Sequence, residues 1–275
     1  MININELGFS YGENIVLKDI TLRLEDGHIY GLLGENGVGK TTLLTLLCGL
    51  KKPNTGKIEI EGKDPFDRKP SLMTDIYYLS DEVVQSSMTA MDYAKTYGKF
   101  WTDFDFEKFI KVMETFDNDP LQKMSHMSFG QLKKAHIAFA LACNPKYLFM
   151  DEPTNGLDIP SKAQFRKALL KFTRDDSIVL ISTHQVRDLE NIIDPIIILD
   201  RKQVLLNASI REISERFYFD YSGEAKPGAL YSEMTPGGNI QVLLNATDEE
   251  SKVNIEALFN TVHKHKELTL NTFSR

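Results

Sequence analysis

The stretch Gly34-Glu35-Asn36-Gly37-Val38-Gly39-Lys40-Thr41-Thr42 decides the fold of this chain. The apolar run at residues 28–33 predicts a buried strand before it, and residues 41–50 predict an apolar helix after it. Glycines in such a loop let backbone N–H groups curl around a phosphate, because a Cβ there would clash. A chance glycine turn is the alternative, but a strand and a helix on either side disfavour it.

The loop has the spacing of the Walker A motif, so each of its residues from Gly34 to Thr42 is a candidate nucleotide ligand. Lys40 would reach the β- and γ-phosphates as a point charge. The hydroxyl of Thr41 would hold Mg²⁺, and Thr42 would assist at the α-phosphate. The pattern therefore predicts a phosphate-binding α/β protein with ATP and Mg²⁺ as cofactors.

A second apolar run, residues 147–150, ends in Asp151-Glu152. Parallel α/β sheets bind ligands at the carboxyl ends of their strands, so both acids are placed where the phosphates are expected. Asp151 would hold Mg²⁺ through water, and Glu152 would accept a proton from the attacking water or orient it. Read alone, the pair is equally a solvated strand end.

Composition sets only loose bounds on the function. The chain has 275 residues, 42% of them hydrophobic, and a net charge of −7, which argues against broad nucleic-acid binding. Cys48 and Cys143 lie far apart in apolar helical patterns, so we expect buried, reduced thiols. No apolar run approaches the ~20 residues needed to span a bilayer, and the N-terminus does not resemble an export signal, so we expect a cytoplasmic chain.

Met127-Ser128-Phe129-Gly130-Gln131 opens a helical stretch before Asp151. A serine hydroxyl and a glycine backbone at a helix start attract anions, because free N–H groups and the positive end of the helix dipole meet there. Since the chain already has a phosphate loop, this second site would serve ATP held by another copy. The alternative is an ordinary N-cap, with Ser128 accepting from the N–H of Gln131.

Together these motifs resemble those of the ATP-binding subunits of ABC transporters, over about residues 1–215. The resemblance adds Asn155-Gly156-Leu157-Asp158 as the D loop and His184 as the switch histidine that bonds the γ-phosphate. Tyr11 matches the aromatic residue that stacks on adenine. Val16, Gln131 and Asp158 become further candidate nucleotide-binding residues, and Ser128 and Gly130 become the contacts to the γ-phosphate of a partner's ATP.

The resemblance implies an α/β P-loop NTPase of ABC type, with an antiparallel β subdomain and a helical subdomain at about 83–145. Residues 1–208 would form the ATPase domain and residues 209–275 a small α/β appendage. The chain would hydrolyse ATP as a homodimer or heterodimer of ABC ATPase subunits, on the inner face of the cell membrane. It would drive a transmembrane permease on a separate chain, and no nucleic-acid partner is expected.

Two other functions stay open from the sequence. One is a soluble ABC ATPase that assembles or remodels a macromolecule, and the other is a nucleotide sensor without hydrolysis, which Glu152 and His184 disfavour. The segment 97–116, with Phe104-Asp105 at its centre, resembles exporter-type ATPases of antibiotic resistance and drug efflux. The direction of transport is therefore expected to be export.

The chain departs from the family pattern at two positions. Asp81 stands where a glutamine normally contacts Mg²⁺, which keeps an oxygen ligand but adds a charge. Either Asp81 binds the metal or the loop is shifted and another residue serves. Phe129 replaces the first glycine of the usual signature pair, so a ring must be accommodated there.

The residues after about 208 carry no family motif. Turn residues at 227–228 and 236–238 separate strand-like pieces at 217–219, 229–232 and 240–244, and a helix is expected near 249–263. His263 and His265 are expected to interact with the helix dipole rather than with a metal.

Overall fold

Buried apolar strands build a central sheet, as the runs beside the glycine loop and before Asp151 predict. The computed structural model describes residues 1–224, 226–246 and 249–273. The strands are β1 (Ile2–Tyr11), β2 (Asn14–Leu24), β3 (His28–Leu33), β4 (Thr55–Ile60), β5 (Ile76–Leu79), β6 (Tyr147–Asp151), β7 (Ile178–Thr183), β8 (Ile196–Asp200), β9 (Gln203–Ala208), β10 (Phe217–Asp220), β11 (Tyr231–Thr235) and β12 (Gly238–Leu244).

The helices are α1 (Lys40–Leu47), α2 (Pro70–Met73), α3 (Ala90–Tyr97), α4 (Phe106–Thr115), α5 (Phe129–Ala142), α6 (Ile159–Phe172), α7 (Ile210–Arg216), α8 (Ile255–Lys264) and α9 (Lys266–Phe273). Helix α1 ends before residue 50, where we expected its end, because Gly49 adopts a positive φ of 64°. A left-handed glycine is a common helix terminator.

The central sheet has six strands in the order β5-β6-β7-β3-β8-β9. All neighbouring pairs are parallel except β8 with β9. Strands β6, β7 and β8 are buried along their whole length, because other elements pack on both faces of the sheet. This arrangement brings the carboxyl ends of β3, β6 and β7, with the motif residues that follow them, to one edge.

A separate antiparallel sheet of order β2-β1-β4 lies on one side of the central sheet. Its inward side chains, such as Ile4 and Leu22, share a hydrophobic cluster with Leu43 of α1 and Phe149 of β6. The expected antiparallel subdomain is therefore confirmed. It matters for the site because β1 ends at Tyr11, beside the phosphate loop.

The helical subdomain expected at about 83–145 contains α3, α4 and α5. Helix α3 begins only at Ala90, where Thr89 caps it, and Asp105 caps α4. Phe139 of α5 packs against four aromatic rings, with centroids 5.2–5.9 Å away: Tyr77, Tyr93, Trp101 and Phe104. Most aromatic residues of this segment thus pack in or against the core, whereas Tyr97 and Phe100 are exposed.

The C-terminal part forms an antiparallel sheet of order β10-β12-β11 with helices beside it. Two expectations need correction. Helix α8 begins at Ile255 rather than near 249, because Asn254 caps it, and the middle strand piece lies at Tyr231–Thr235 rather than 229–232. Helix α9 was not expected.

The C-terminal part packs tightly onto the rest of the chain. Phe217, Val242 and Leu258 belong to the same hydrophobic cluster as Phe139. Arg187 pairs with Glu256 of α8 at 2.6 Å, and Lys266 of α9 pairs with Asp200 at the end of β8. His263 lies on Phe259 and near Asp200, and the His265 ring bonds the Leu230 carbonyl, so both histidines have specific partners beyond the helix dipole.

Candidate functional site

A cavity of about 580 Å³ opens at the carboxyl edge of the central sheet. It is lined by Tyr11, Asn14, Val16, Asn36, Gly37, Gly39, Lys40, Thr41, Thr42, Asp81, Asp151, Glu152, Asn155 and His184. Most residues that the sequence singled out for ATP and Mg²⁺ therefore meet in one place. Of the loop residues, Gly34, Glu35 and Val38 do not line the cavity.

The loop between β3 and α1 requires glycine for two reasons, a positive φ angle and a close backbone contact. Gly37 and Gly39 have φ values of 82° and 109°, where side chains are disfavoured. At Gly34 the reason is a close approach, since a Cβ there would lie 2.6 Å from the carbonyl oxygen of Leu199. Gly34 thus packs the loop against the end of β8, and the other glycines shape its turn.

Lys40 is buried at the start of α1, with its ammonium directed into the loop. Its Nζ donates to the carbonyl oxygens of Gly34 at 2.7 Å and Glu35 at 3.1 Å. Burial lowers the pKa of Lys40, and the carboxylates of Glu152 and Asp151 oppose that shift. The ammonium is thus held among the groups that face the cavity, 3.7 Å from Glu152 Oε1.

Asp151 ends β6 beside the hydroxyl of Thr41. Thr41 Oγ1 donates to Asp151 Oδ2 at 2.6 Å, and Ser182 at the end of β7 donates to Oδ1. Hydroxyl and carboxylate oxygens are the ligands that Mg²⁺ prefers, and Mg²⁺ in phosphate sites uses only one or two protein groups. The pair fits that ion. Among the described residues no group of three or more His, Cys, Asp or Glu side chains could hold a metal by itself.

Glu152 and His184 form a pair at the ends of neighbouring strands. His184 Nδ1 lies 2.9 Å from Glu152 Oε1. Glu152 has a φ of 45°, a conformation that costs a non-glycine residue energy, and its N–H donates to the Ser182 carbonyl at 3.1 Å. The strained turn directs the carboxylate across the cavity toward both His184 and Lys40.

Tyr11 is half exposed at the end of β1. Its hydroxyl lies 3.4 Å from Thr42 Oγ1, and its ring meets Phe9 edge-on with centroids 4.9 Å apart. Lys51 Nζ lies 4.9 Å from the ring centroid. A planar, half-exposed ring that lines the cavity can stack on a base. Val16 lies beside it on β2.

Asp81 lies on the cavity wall, but its carboxylate already has protein partners. Lys133 Nζ donates to Asp81 Oδ1 at 2.9 Å and to the Asp81 carbonyl at 2.7 Å. Asn155 Nδ2 lies 3.3 Å from each carboxylate oxygen. The loop is therefore not shifted away from the site, and the charge that Asp81 introduces is paired with Lys133.

Ser128, Gly130, Gln131 and Asp158 do not line the cavity. Ser128 caps α5 in a capping box: its Oγ accepts from Gln131 N at 3.2 Å and its N–H donates to Gln131 Oε1 at 2.9 Å. Asp158 caps α6 by accepting from Ser161 N at 2.9 Å, and hydrogen bonds with the side chain and the N–H of Ser161 lower the pKa of Asp158. Within one chain Ser128, Gln131 and Asp158 therefore cap helix starts, and Gly130 lies in the first turn of α5.

Sequence reasoning missed three residues of this region. Asn14 lies opposite Tyr11 where β1 pairs with β2, and Asn155 was read only as part of the D loop. Lys133 was not identified at all. The sequence did contain a clue to Lys133, because a lysine inside the apolar run that follows Gln131 needs a buried partner.

A larger cavity, about 880 Å³, lies between the antiparallel sheet, β9 and α9. Its lining includes Lys18, Arg23, Arg201 and Lys202 but none of the motif residues. Size therefore does not identify the site, and the smaller cavity carries the chemistry.

A P-loop at the edge of a parallel sheet, with an antiparallel sheet and a helical segment beside it, defines an ATP-binding cassette. The family model described as "ABC transporter" matches residues 17–155, half of the chain, and the chain belongs to that family. The expected fold class and family are confirmed.

Individual relatives agree with this assignment. The chain is 27% identical to an uncharacterized ABC transporter ATP-binding protein of Methanocaldococcus jannaschii, over 82% of this chain and 84% of the relative. It is 27% identical to the ABC transporter ATP-binding protein NatA of Bacillus subtilis, over 72% of this chain and 84% of the relative.

Solved structures share the fold. The ATP-binding subunit of an ABC transporter superposes with a TM-score of 0.70 at 22% identity, over 78% of this chain and 91% of that chain. A dimeric ATP-binding cassette in a post-hydrolysis state with ADP and Pi gives 0.67 at 22% identity, over 76% and 98%. Helices long and apolar enough to cross a bilayer do not occur in residues 1–224, 226–246 and 249–273.

Proposed function

We propose that this chain is the ATP-hydrolysing subunit of an ABC transporter, which dimerises around two ATP molecules and drives a separate transmembrane subunit, in export. One observation carries the proposal. The cavity holds the phosphate loop, Asp151, Glu152 and His184, while Ser128 and Gly130 sit on an exposed helix start outside it. A second copy would bring its Ser128 and Gly130 to the open side of the bound ATP.

Each group in the cavity then has a task. Lys40 binds the β- and γ-phosphates. Burial disfavours its charged form and so lowers its pKa, and anionic phosphates would offset that cost by pairing with the ammonium. Thr41 and Asp151 would hold Mg²⁺, which supplies charge neutralisation at the phosphates when bound. Tyr11, with Val16, binds the base. The backbone N–H groups around Gly37 and Gly39 face the phosphates.

Glu152 accepts the proton of the attacking water, or orients it, at Oε1 or Oε2. His184 fixes that carboxylate by its 2.9 Å contact and offers its ring to the γ-phosphate. Across the dimer interface, Ser128 Oγ and the N–H groups at the start of α5 stabilise the same phosphate. Hydrolysis removes that phosphate, so the interface loses its bridging ligand and opens.

Glu152→Gln tests the scheme. The amide keeps the size of the side chain but cannot take a proton, so the variant should hydrolyse ATP at least ~100-fold more slowly, at the lower end of what a general base contributes. With ATP and Mg²⁺ it should elute as a dimer in size exclusion with light scattering. Glu114→Gln, an exposed position on α4, is the matched control and should behave as wild type. A Glu152→Gln chain that stays monomeric with bound ATP would refute the dimer.

For the transmembrane partner we propose a docking surface beside the Asp81 loop. Val84, in the loop that contains Asp81, is 75% exposed. Tyr97, which ends α3, is 39% exposed, and Phe100 just after it is 68% exposed. Val84→Asp with Phe100→Ser should abolish co-purification with a multi-helix membrane protein and leave ATP binding intact. Met234→Ser, an equally exposed apolar position in the C-terminal part, should not. Retention of the membrane protein by the double variant would refute this docking surface. A wild-type chain that co-purifies with no membrane protein would instead argue for the soluble alternative.

This assignment divides the chain into an ATPase domain, residues 1–208, with residues 209–275 as an appendage braced against it. It also places the chain on the inner face of the membrane, through its partner. The appendage contacts the segment just after His184 by the Arg187–Glu256 pair, which supports a role close to the ATPase rather than as a free tail.

A further inference from the structure

Lys133 is fully buried, and its pairing is unusual for a lysine in a helix core. The side chain is 0% exposed, and its ammonium bonds both the carboxylate and the carbonyl of Asp81. A buried ammonium left without a partner costs several kcal/mol, so this contact is strongly held. It ties the middle of α5 to the loop after β5, although the residues are 52 positions apart.

Phe129 lies one helical turn before Lys133, and its ring faces the Lys133 ammonium. The Phe129 ring centroid is 6.0 Å from Lys133 Nζ, within the outer range of a cation–π contact. The ring also packs on Gly156 of the D loop. A Cβ at Gly156 would lie 2.3 Å from Phe129 Cε1, and Gly156 has a φ of 77°, so only glycine fits under this ring.

Asn155 completes a closed circuit. Its Nδ2 donates to the Asp81 carboxylate at 3.3 Å, and its neighbour Gly156 carries the Phe129 ring. The chain of contacts therefore runs from Phe129 to Lys133, to Asp81, to Asn155 and back through Gly156. Both departures from the family pattern, Asp81 and Phe129, lie in this circuit and are joined by Lys133.

We infer that Phe129, Lys133, Asp81 and Asn155 form a clamp that fixes the start of α5 and the D loop against the wall of the ATP cavity. These are positioning residues: Asp81 and Asn155 line the cavity, while Phe129 adjoins Ser128 and Gly130. The clamp thus links the cavity that would bind this chain's own ATP to the start of α5, where Ser128 and Gly130 would complete the ATP site of the partner copy. This inference rests on the proposed dimer for its consequence in catalysis, but its structural part does not.

The structural part is tested by hydrogen exchange on the chain without nucleotide. Lys133→Met keeps an unbranched side chain, one atom shorter, and removes the ammonium. Amides of residues 155–158 and 81–84 should exchange at least ~10-fold faster in Lys133→Met than in wild type, as expected when a local opening loses ~1.4 kcal/mol of protection. Lys111→Met, on the exposed face of α4, is the matched control and should leave both segments unchanged.

The catalytic part is tested by kinetics. Lys133→Met should lower kcat by about 10- to 100-fold, the cost of misplacing reacting groups, while the Kd for a fluorescent ATP analogue stays within about 3-fold. Asp81→Asn should act in the same direction. The double variant should be no slower than Lys133→Met alone, because residues of one network are not additive.

The alternative for Asp81 gives a different pattern. If its carboxylate binds Mg²⁺ instead, Asp81→Asn will raise the Mg²⁺ concentration for half-maximal activity and Lys133→Met will not. The clamp predicts an unchanged Mg²⁺ requirement in both variants. Phe129→Ala should reproduce the faster D-loop exchange, since it removes the ring that covers Lys133 and Gly156.

The outcomes separate this inference from the proposed function. Unchanged exchange of residues 155–158 in Lys133→Met overturns the clamp, whatever the chain hydrolyses. Changed exchange with additive kinetic effects, or with kcat within about 2-fold of wild type, overturns its role in positioning. The third outcome is faster exchange in Lys133→Met together with a wild-type chain that neither dimerises with ATP nor hydrolyses it. This outcome refutes the proposed function and leaves the structural clamp standing.

Discussion

Phe139→Ala should be among the most destabilising single substitutions in the helical segment. The Phe139 side chain is 2% exposed and touches four aromatic rings from β5, α3 and the loop that leads to α4. Truncating a buried Phe to Ala costs about 3–5 kcal/mol. Ring pairs add about 0.5–1.5 kcal/mol each beyond their buried area, which favours the upper half of that range.

Guanidinium unfolding followed by fluorescence measures this directly, because the single tryptophan, Trp101, lies in the cluster with its ring centroid 5.7 Å from that of Phe139. Far-UV circular dichroism gives a second probe of the same transition. Phe139→Leu keeps most of the apolar volume and should lose less. Phe100→Ala, at a 68% exposed ring, should change stability by no more than about 0.5 kcal/mol.

The expectation depends on the cavity left behind, since neighbouring rings cannot collapse without leaving their contacts. A loss below about 1 kcal/mol for Phe139→Ala, or one equal to that of Phe100→Ala, would refute the reasoning. It would show that the aromatic cluster repacks around the gap. The function of α5, whose start carries Ser128 and Gly130, would then not depend on this anchor.

Two further predictions concern buried titratable groups. Burial lowers the pKa of His136, whose ring bonds the Val84 carbonyl. Below the ordinary His pKa near 6.5 the unfolded state therefore binds more protons than the native state, and stability falls as pH falls. His136→Gln should reduce this slope by at most about 1.4 kcal/mol per pH unit, and an unchanged slope in pH-dependent unfolding would contradict the prediction. Burial raises the pKa of the Cys48 and Cys143 thiols, so a thiol reagent at pH 8 should label neither in the native chain and both after guanidinium unfolding, whereas stoichiometric native labelling would show that one is accessible.

Local chemistry made much of the site readable from the sequence. Gly37 and Gly39 are constrained by the turn they form, and Asp151 with Glu152 are placed by the end of an apolar strand. Such signals lie within a few neighbouring residues. The rule that parallel strands bind ligands at their carboxyl ends then places both sets at the same sheet edge. The fold class followed from the same strands and helices.

Helix ends and the C-terminal part were less predictable. Residues before Ile255 read as helical by composition, but Asn254 caps α8 and sets its start. Helix α9 has a weak periodic pattern, and it is held by contacts to β9 and by the Lys266–Asp200 pair. Its formation depends on the surface it packs against, which propensity does not record.

The sequence by itself determined that the chain has a phosphate loop, a pair of strand-end acids and an ABC signature, because each requires particular residues at short spacing. Only the tertiary structure showed which side chains Asp81 and Phe129 contact. Their meaning depends on Lys133 and Gly156, which lie far from at least one of them in sequence and meet them only when α5 packs against β5 and the D loop. Long-range pairing of a buried charge leaves no periodic pattern in the chain, so it becomes visible only when the folded neighbours are known.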